Sequence, residues 1–166
     1  MRPPFYYRMH NVRLALFQPD IAPNMGAAIR LAACLGIGLD IIEPCGFPIS
    51  DKMLRRSAMD YSARCELVRH LNFAAFVIAS TTRNSRIIAI ETDSAVPFTN
   101  FTFKDSDVLM LGRETSGTPA NVLAQCHAAV VIPMAPGNRS FNVTMSGAIV
   151  LTEALRQTGG WGELGV

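Results

Sequence analysis

The sequence is short of charge. Aspartate, glutamate, lysine and arginine make up 17% of its 166 residues, against roughly 25% in an average soluble domain, so much of the surface must be neutral or apolar. A lone subunit hides such a surface poorly, and the composition predicts a subunit interface. Cysteine is sparse as well. Cys34, Cys45, Cys65 and Cys126 form no C-x-x-C pair, and the first three sit in apolar or turn segments that suit small buried thiols. All four read as free and reduced. No stretch approaches the about eighteen uninterrupted apolar residues of a membrane span, and the opening MRPPFYYRMH lacks the apolar centre of a signal peptide, so a cytosolic protein is expected. There is no Walker sequence and no H-x-x-x-H pair, so no metal is expected. Gly36-Ile37-Gly38 follows a helical pattern and precedes a strand, the reverse of the order that sets a pyrophosphate on a helix N-terminus. A nucleotide-dependent oxidoreductase is therefore disfavoured.

What is present is apolar periodicity. With 49% apolar residues the chain suffices for one domain with a sizeable core and is too short to expect two. Short apolar runs predict strands over 12–17, 39–42, 86–90, 107–111 and 129–132. Helical spacing marks 26–35, the basic segment 50–61, a weaker 72–79, then 119–125 and a long closing helix over 141–157. Asn24 is placed to cap the first helix, and Gly36 and Gly38 to end it. The first 42 residues thus read as a β-α-β unit, which predicts an α/β fold with an open, mainly parallel sheet and helices on both faces. Residues 1–11, rich in Pro, Arg and Tyr, read as an arm that could stack on bases or cover a partner subunit. Lys52, Arg55, Arg56, Arg64, Arg69 and His70 form a basic cluster suited to phosphates or to a solvated helix face.

Small and polar residues gather after three strands, in 18–30, 112–117 and 133–142. Ligands bind beyond the carboxyl ends of the strands in open parallel sheets, so these loops are expected to converge on one site.

The residues of those loops carry a resemblance. Pro23-Asn24-Met25-Gly26-Ala27-Ala28-Ile29-Arg30 resembles the first motif of SpoU-type methyltransferases. Leu111-Gly112-Arg113-Glu114-Thr115-Ser116-Gly117 resembles the second, and Ile132-Pro133-Met134 with Ser140-Phe141-Asn142-Val143 the third. In order, with Ile42-Glu43-Pro44 and the segment 54–61 between them, they cover residues 12–157 and look most like the minimal branch that methylates the wobble ribose of tRNA. The resemblance implies a SPOUT fold with a C-terminal deep trefoil knot, a homodimer formed through the knot region, and S-adenosylmethionine as methyl donor with S-adenosylhomocysteine as product. It further implies that Ile90, Gly112, Ile132 and Ser140 contact the cofactor and that Met134 and Val143 line its adenine pocket.

For the chemistry, the resemblance singles out Arg30, Asn24, Glu114 and Asn142, and it implies the 2'-hydroxyl of a wobble pyrimidine, with leucine tRNA the expected acceptor. Family proposals make the first-motif arginine the proton acceptor. A guanidinium has no acceptor lone pair and a pKa above about 12, so a bidentate clamp on a phosphate is the better role for Arg30. Asn24, Asn142 and Ser140 also suit ordinary helix caps, and Arg55, Arg56 and Arg139 are candidate RNA contacts. The chain departs from its close relatives at Arg113, often Pro, and Leu151, often Tyr, which puts any RNA role of those positions in doubt. Two alternatives stand: a ribosomal RNA ribose methyltransferase, and a non-catalytic RNA-binding protein that retains the fold.

Overall fold

The computed structural model describes residues 10–50, 52, 61 and 64–164. Most of the helix expected over 50–61, Arg55 and Arg56 included, lies outside the described residues, as does most of the N-terminal arm. Six strands form one sheet: β1 (His10–Phe17), β2 (Ile37–Ile42), β3 (Leu67–His70), β4 (Ile87–Ile90), β5 (Val108–Leu111) and β6 (Ala128–Val130). Their spatial order is β3-β2-β1-β5-β4-β6 and every pairing is parallel. Among the described residues, helices α1 (Ala22–Leu35), α2 (Phe73–Thr82), α3 (Ala120–Leu123) and α4 (Val143–Thr158) accompany the sheet.

Side chains alternate across a strand, and here the alternation sorts the core into two layers. Leu14, Leu16, Leu39, Ile41, Leu109 and Leu111 meet Met25 and Ile29 of α1 and Val150 and Leu151 of α4 on one face. Ala15, Phe17, Ile87, Ala89 and Met110 meet Phe76 of α2 and Val122 of α3 on the other. Both faces of the central strands are covered, which is why they read as continuous apolar runs. No helix among the described residues is long and apolar enough to cross a membrane.

Three expectations need correction, and one strand was not foreseen. Asn24 is not the cap of α1: the helix begins at Ala22 after Ile21, with Pro23 in its first turn, where the missing N–H costs nothing. Gly36 does end α1, in the left-handed region at φ 61°, but Gly38 lies inside β2. A Cβ there would collide with the Arg13 guanidinium. Cys34 is exposed rather than embedded, although all four thiols are free. Strand β3 was not legible at all.

That missed strand belongs to a buried charge network. Asp40, inaccessible to solvent, accepts from Arg13 Nε at 2.7 Å and faces His70 Nε2 at 2.7 Å, with Arg83 at 3.4 Å. Arg13 also donates to Glu66 at 2.6 Å. A buried carboxylate is tolerated only when charged partners surround it, and these come from β1, β3 and the end of α2. The network therefore fixes the β3-β2-β1 end of the sheet.

Candidate active site

The all-parallel sheet delivers every strand to the same end, and the loops leaving β1, β4, β5 and β6 enclose a cavity of about 830 Å³ there. Ile90, Gly112, Ile132, Met134, Ser140 and Val143 all line it, together with Asn24, Glu114, Asn142 and Arg139. The expected convergence of three loops is thus observed. Arg30 does not line the cavity. It is exposed on α1, and its guanidinium lies 5.2 Å from the centre of the Tyr61 ring, a cation–π distance.

The loop after β5 is shaped by its glycines. Arg113 and Gly117 exchange backbone hydrogen bonds of 3.2 and 2.9 Å, a tight reversal that places Gly117 at φ 67°. Gly112 packs so closely that a Cβ would stand 2.5 Å from Thr118 Oγ1 and 2.9 Å from the Thr118 nitrogen. Only glycine fits such an approach.

This reversal presents Glu114 to the loop after β1. One carboxylate oxygen accepts from the Asp20 backbone N–H at 2.7 Å and the other from Asn24 Nδ2 at 3.2 Å. Asn24 Oδ1 in turn accepts from Asn142 Nδ2 at 2.9 Å. Asn142 Oδ1 caps α4, accepting from the N–H groups of Thr144 and Met145 at 2.9 and 3.3 Å, and Thr144 Oγ1 donates to the Asn24 carbonyl at 2.9 Å. Asn24, Glu114 and Asn142, all singled out in the sequence, therefore form one relay from the first turn of α1 through the loop after β5 to the start of α4, and Asn142 is both a cap and a link. Amide orientations follow from this network: Asn24 must turn its NH₂ to Glu114 and its oxygen to Asn142.

A second clamp was not foreseen. Asp20 accepts from Arg113 at 2.8 Å and from Thr115 Oγ1 at 2.5 Å, and Arg113 and Thr115 hold its carboxyl down at about 2. Arg113 thus ties the loops after β1 and β5 together. Leu151 is wholly buried in the core, which removes it from any RNA surface. Asp20 gave no signal beyond following Pro19, and Glu91, another cavity residue, gave none.

Comparison with known proteins places the whole segment that carries this cavity in one family. The profile of the SpoU rRNA Methylase family matches residues 11–152. A tRNA (cytidine(34)-2'-O)-methyltransferase of Beijerinckia indica is 48% identical over 146 residues, covering 88% of this chain and 91% of the relative. The protein of that name from Escherichia coli K12 is 39% identical over 89% of this chain and 94% of its own. A solved structure described as giving insight into the 2-OH methylation of C/U34 on tRNA superposes with a TM-score of 0.83 at 36% identity, covering 89% of this chain and 96% of that one. The SpoU methyltransferase AviRb from Streptomyces viridochromogenes, in complex with AdoMet, shares the fold, with a TM-score of 0.80 at 23% identity over 89% of this chain and 58% of its own. With most of its length matched, and every loop of the cavity inside the matched segment, the chain belongs to the SpoU rRNA Methylase family.

Proposed function

We propose that the protein transfers a methyl group from S-adenosylmethionine to the 2'-hydroxyl of the wobble pyrimidine nucleotide of tRNA, releasing S-adenosylhomocysteine. It does so in the cytoplasm, as a homodimer joined through a knotted C-terminal region. The observation that carries the reading is that the family match contains the whole cavity and its polar relay, while the relatives compared above bear the corresponding tRNA name.

The cavity suits such a cofactor chemically. Ile90, Ile132, Met134 and Val143 offer an apolar wall for a flat heteroaromatic ring, and Glu91, Asp93 and Glu114 supply negative charge for a cationic ligand. S-adenosylmethionine supplies an already activated methyl group. What remains for the chain is to place the hydroxyl and stabilise its oxygen as the O–H proton passes to solvent water and the methyl group passes from sulfur to that oxygen, leaving the neutral thioether. Glu114 has both oxygens engaged, so it orients Asn24 rather than accepting a proton. Arg30, exposed beside Tyr61, clamps a phosphate next to the target ribose through its fork of donors. Arg139 stands on the cavity wall itself as a further cation.

The test is methyl transfer from labelled S-adenosylmethionine to total tRNA from a strain lacking the gene, followed by nucleoside mapping. The expected product carries label on the ribose of nucleotide 34, with leucine tRNA the acceptor. Arg30→Ala loses about 10- to 100-fold, the worth of a charged hydrogen-bond pair, and Arg30→Lys recovers part of it. The family's own description favours ribosomal RNA as the second reading, and label appearing only there would establish it. Failure to bind the cofactor at all would leave a non-catalytic RNA-binding protein.

A further inference from the structure

Glu91 follows directly on β4 and lines the cavity, yet it takes no part in the relay. Its Oε1 is sealed from solvent and has no hydrogen-bond partner, and Thr118 Oγ1 is sealed and unpartnered too. The two belong to one corner. Glu91 Oε2 lies 3.6 Å from the position of a Cβ on Gly117, and Thr118 Oγ1 lies 2.5 Å from that of a Cβ on Gly112. The Thr118 hydroxyl is near enough to favour the ionised carboxylate, but no hydrogen bond of good geometry joins them. Buried polar atoms in native proteins are almost always paired, so two orphans just behind the wall that Glu91 and Thr118 give the cavity point to a side-chain rearrangement on binding in which the ligand supplies their partner.

We infer that Glu91 is a cofactor-recognition residue whose carboxylate, with the Thr118 hydroxyl beside it, accepts hydrogen bonds from N–H or O–H groups of the bound cofactor. This rests on the S-adenosylmethionine reading above. Two parts of that cofactor offer such donors, the ribose diol and the amino group of the methionine portion.

The electrostatics agree. Burial pushes the Glu91 carboxyl above its usual range, and Asp93 adds to the effect. An acid whose folded pKa is raised ionises first in the unfolded chain, so above the usual glutamate range Glu91 weakens the empty protein. Ligand donors that favour the carboxylate offset this, and binding then tightens as pH rises through the raised pKa. The other charged groups of the cavity are Arg113 and Glu114 after β5 and Arg139 after β6. Burial, with a smaller contribution from Glu91, pushes the Cys126 thiol up to about 11, so it stays neutral throughout.

The experiment is calorimetric titration of the full chain with S-adenosylhomocysteine from pH 4.5, the ordinary glutamate value, up to pH 8, for the wild type and Glu91→Gln, with thermal unfolding of each empty protein. Wild-type affinity should rise with pH. Glu91→Gln should bind about 10- to 100-fold more weakly at pH 8 with a flattened pH profile, while its empty form unfolds at the same temperature or higher. Methylthioadenosine, which keeps the ribose and lacks the amino acid, assigns the donor: an equal loss for both ligands marks the ribose, and a loss confined to S-adenosylhomocysteine marks the amino group. Wild-type binding by Glu91→Gln at every pH overturns the inference alone. A wild type that binds neither ligand overturns the methyltransferase reading beneath it.

Discussion

Replacing Asn142 with aspartate separates the two tasks of one side chain. The cap survives, because a carboxylate oxygen can take over the N–H groups of Thr144 and Met145 now bonded at 2.9 and 3.3 Å. Aspartate ranks beside asparagine as a cap, and a negative charge at a helix N-terminus adds about 0.3–1 kcal/mol. The link to Asn24 does not survive: the 2.9 Å donation to Asn24 Oδ1 becomes an oxygen–oxygen contact. Asn24 cannot turn over to meet it, since its NH₂ serves Glu114 at 3.2 Å and the turned amide would set two oxygens face to face there. The lost bond is worth about 0.5–1.5 kcal/mol, so the helix gain nearly cancels it and the melting temperature should stay within about 4 °C of wild type. Activity should not stay. Disordering the relay by about 1–2 kcal/mol in the transition state lowers kcat/KM roughly 5- to 30-fold. Asn142→Ala, which loses cap and link together, should cost about 1–3 kcal/mol of stability. Thermal unfolding and single-turnover methyl transfer on the same preparations decide it. An Asn142→Asp enzyme with wild-type kcat/KM, or one as unstable as Asn142→Ala, refutes the division of roles.

Two further outcomes follow from packing. Asp40→Asn removes the charge at the centre of the Arg13, His70 and Arg83 network and should cost about 3 kcal/mol, seen by circular dichroism as a fall in melting temperature of about 6–12 °C; a cost under about 1 kcal/mol would show that the network is dispensable. Gly112→Ala sets a methyl group against the Thr118 hydroxyl and backbone, forcing the loop outward, and titration should show S-adenosylhomocysteine binding weakened by about tenfold or more; unchanged affinity would mean the loop yields freely.

Legibility followed the range of the forces involved. Strands β1, β2, β4 and β5 announce themselves because both faces are apolar, and Gly36 and Asn72 mark helix ends through purely local chemistry: the Asn72 side chain accepts from Ala75 N–H. Strand β3 hides because Leu67-Val68-Arg69-His70 is short and half polar, and what makes it a strand is distant: Arg69 meets Glu43 and His70 meets Asp40. Asn24 misled for a related reason. It precedes a run of helical spacing, as caps do, but Pro23 already occupies the first turn, which frees the Asn24 amide for Glu114. The motif residues of the site could be named by resemblance, whereas Asp20, Thr144 and Glu91 acquire their roles only from loops far away in sequence.

Those separations carry a consequence for the order of events when the chain folds. Asn24 and Glu114 are 90 positions apart, and Asn24 and Asn142 are 118 apart, so the relay closes only after both ends of the chain have docked. Contacts of such long range form late, because loop entropy must be overcome before they add stability. A nascent chain that has made β1, α1 and β2 therefore holds Asn24 in place but has nothing for it to orient. Cofactor capture should be among the last steps of maturation, and a fluorescent S-adenosylhomocysteine analogue added during refolding would time the arrival of the C-terminal helix.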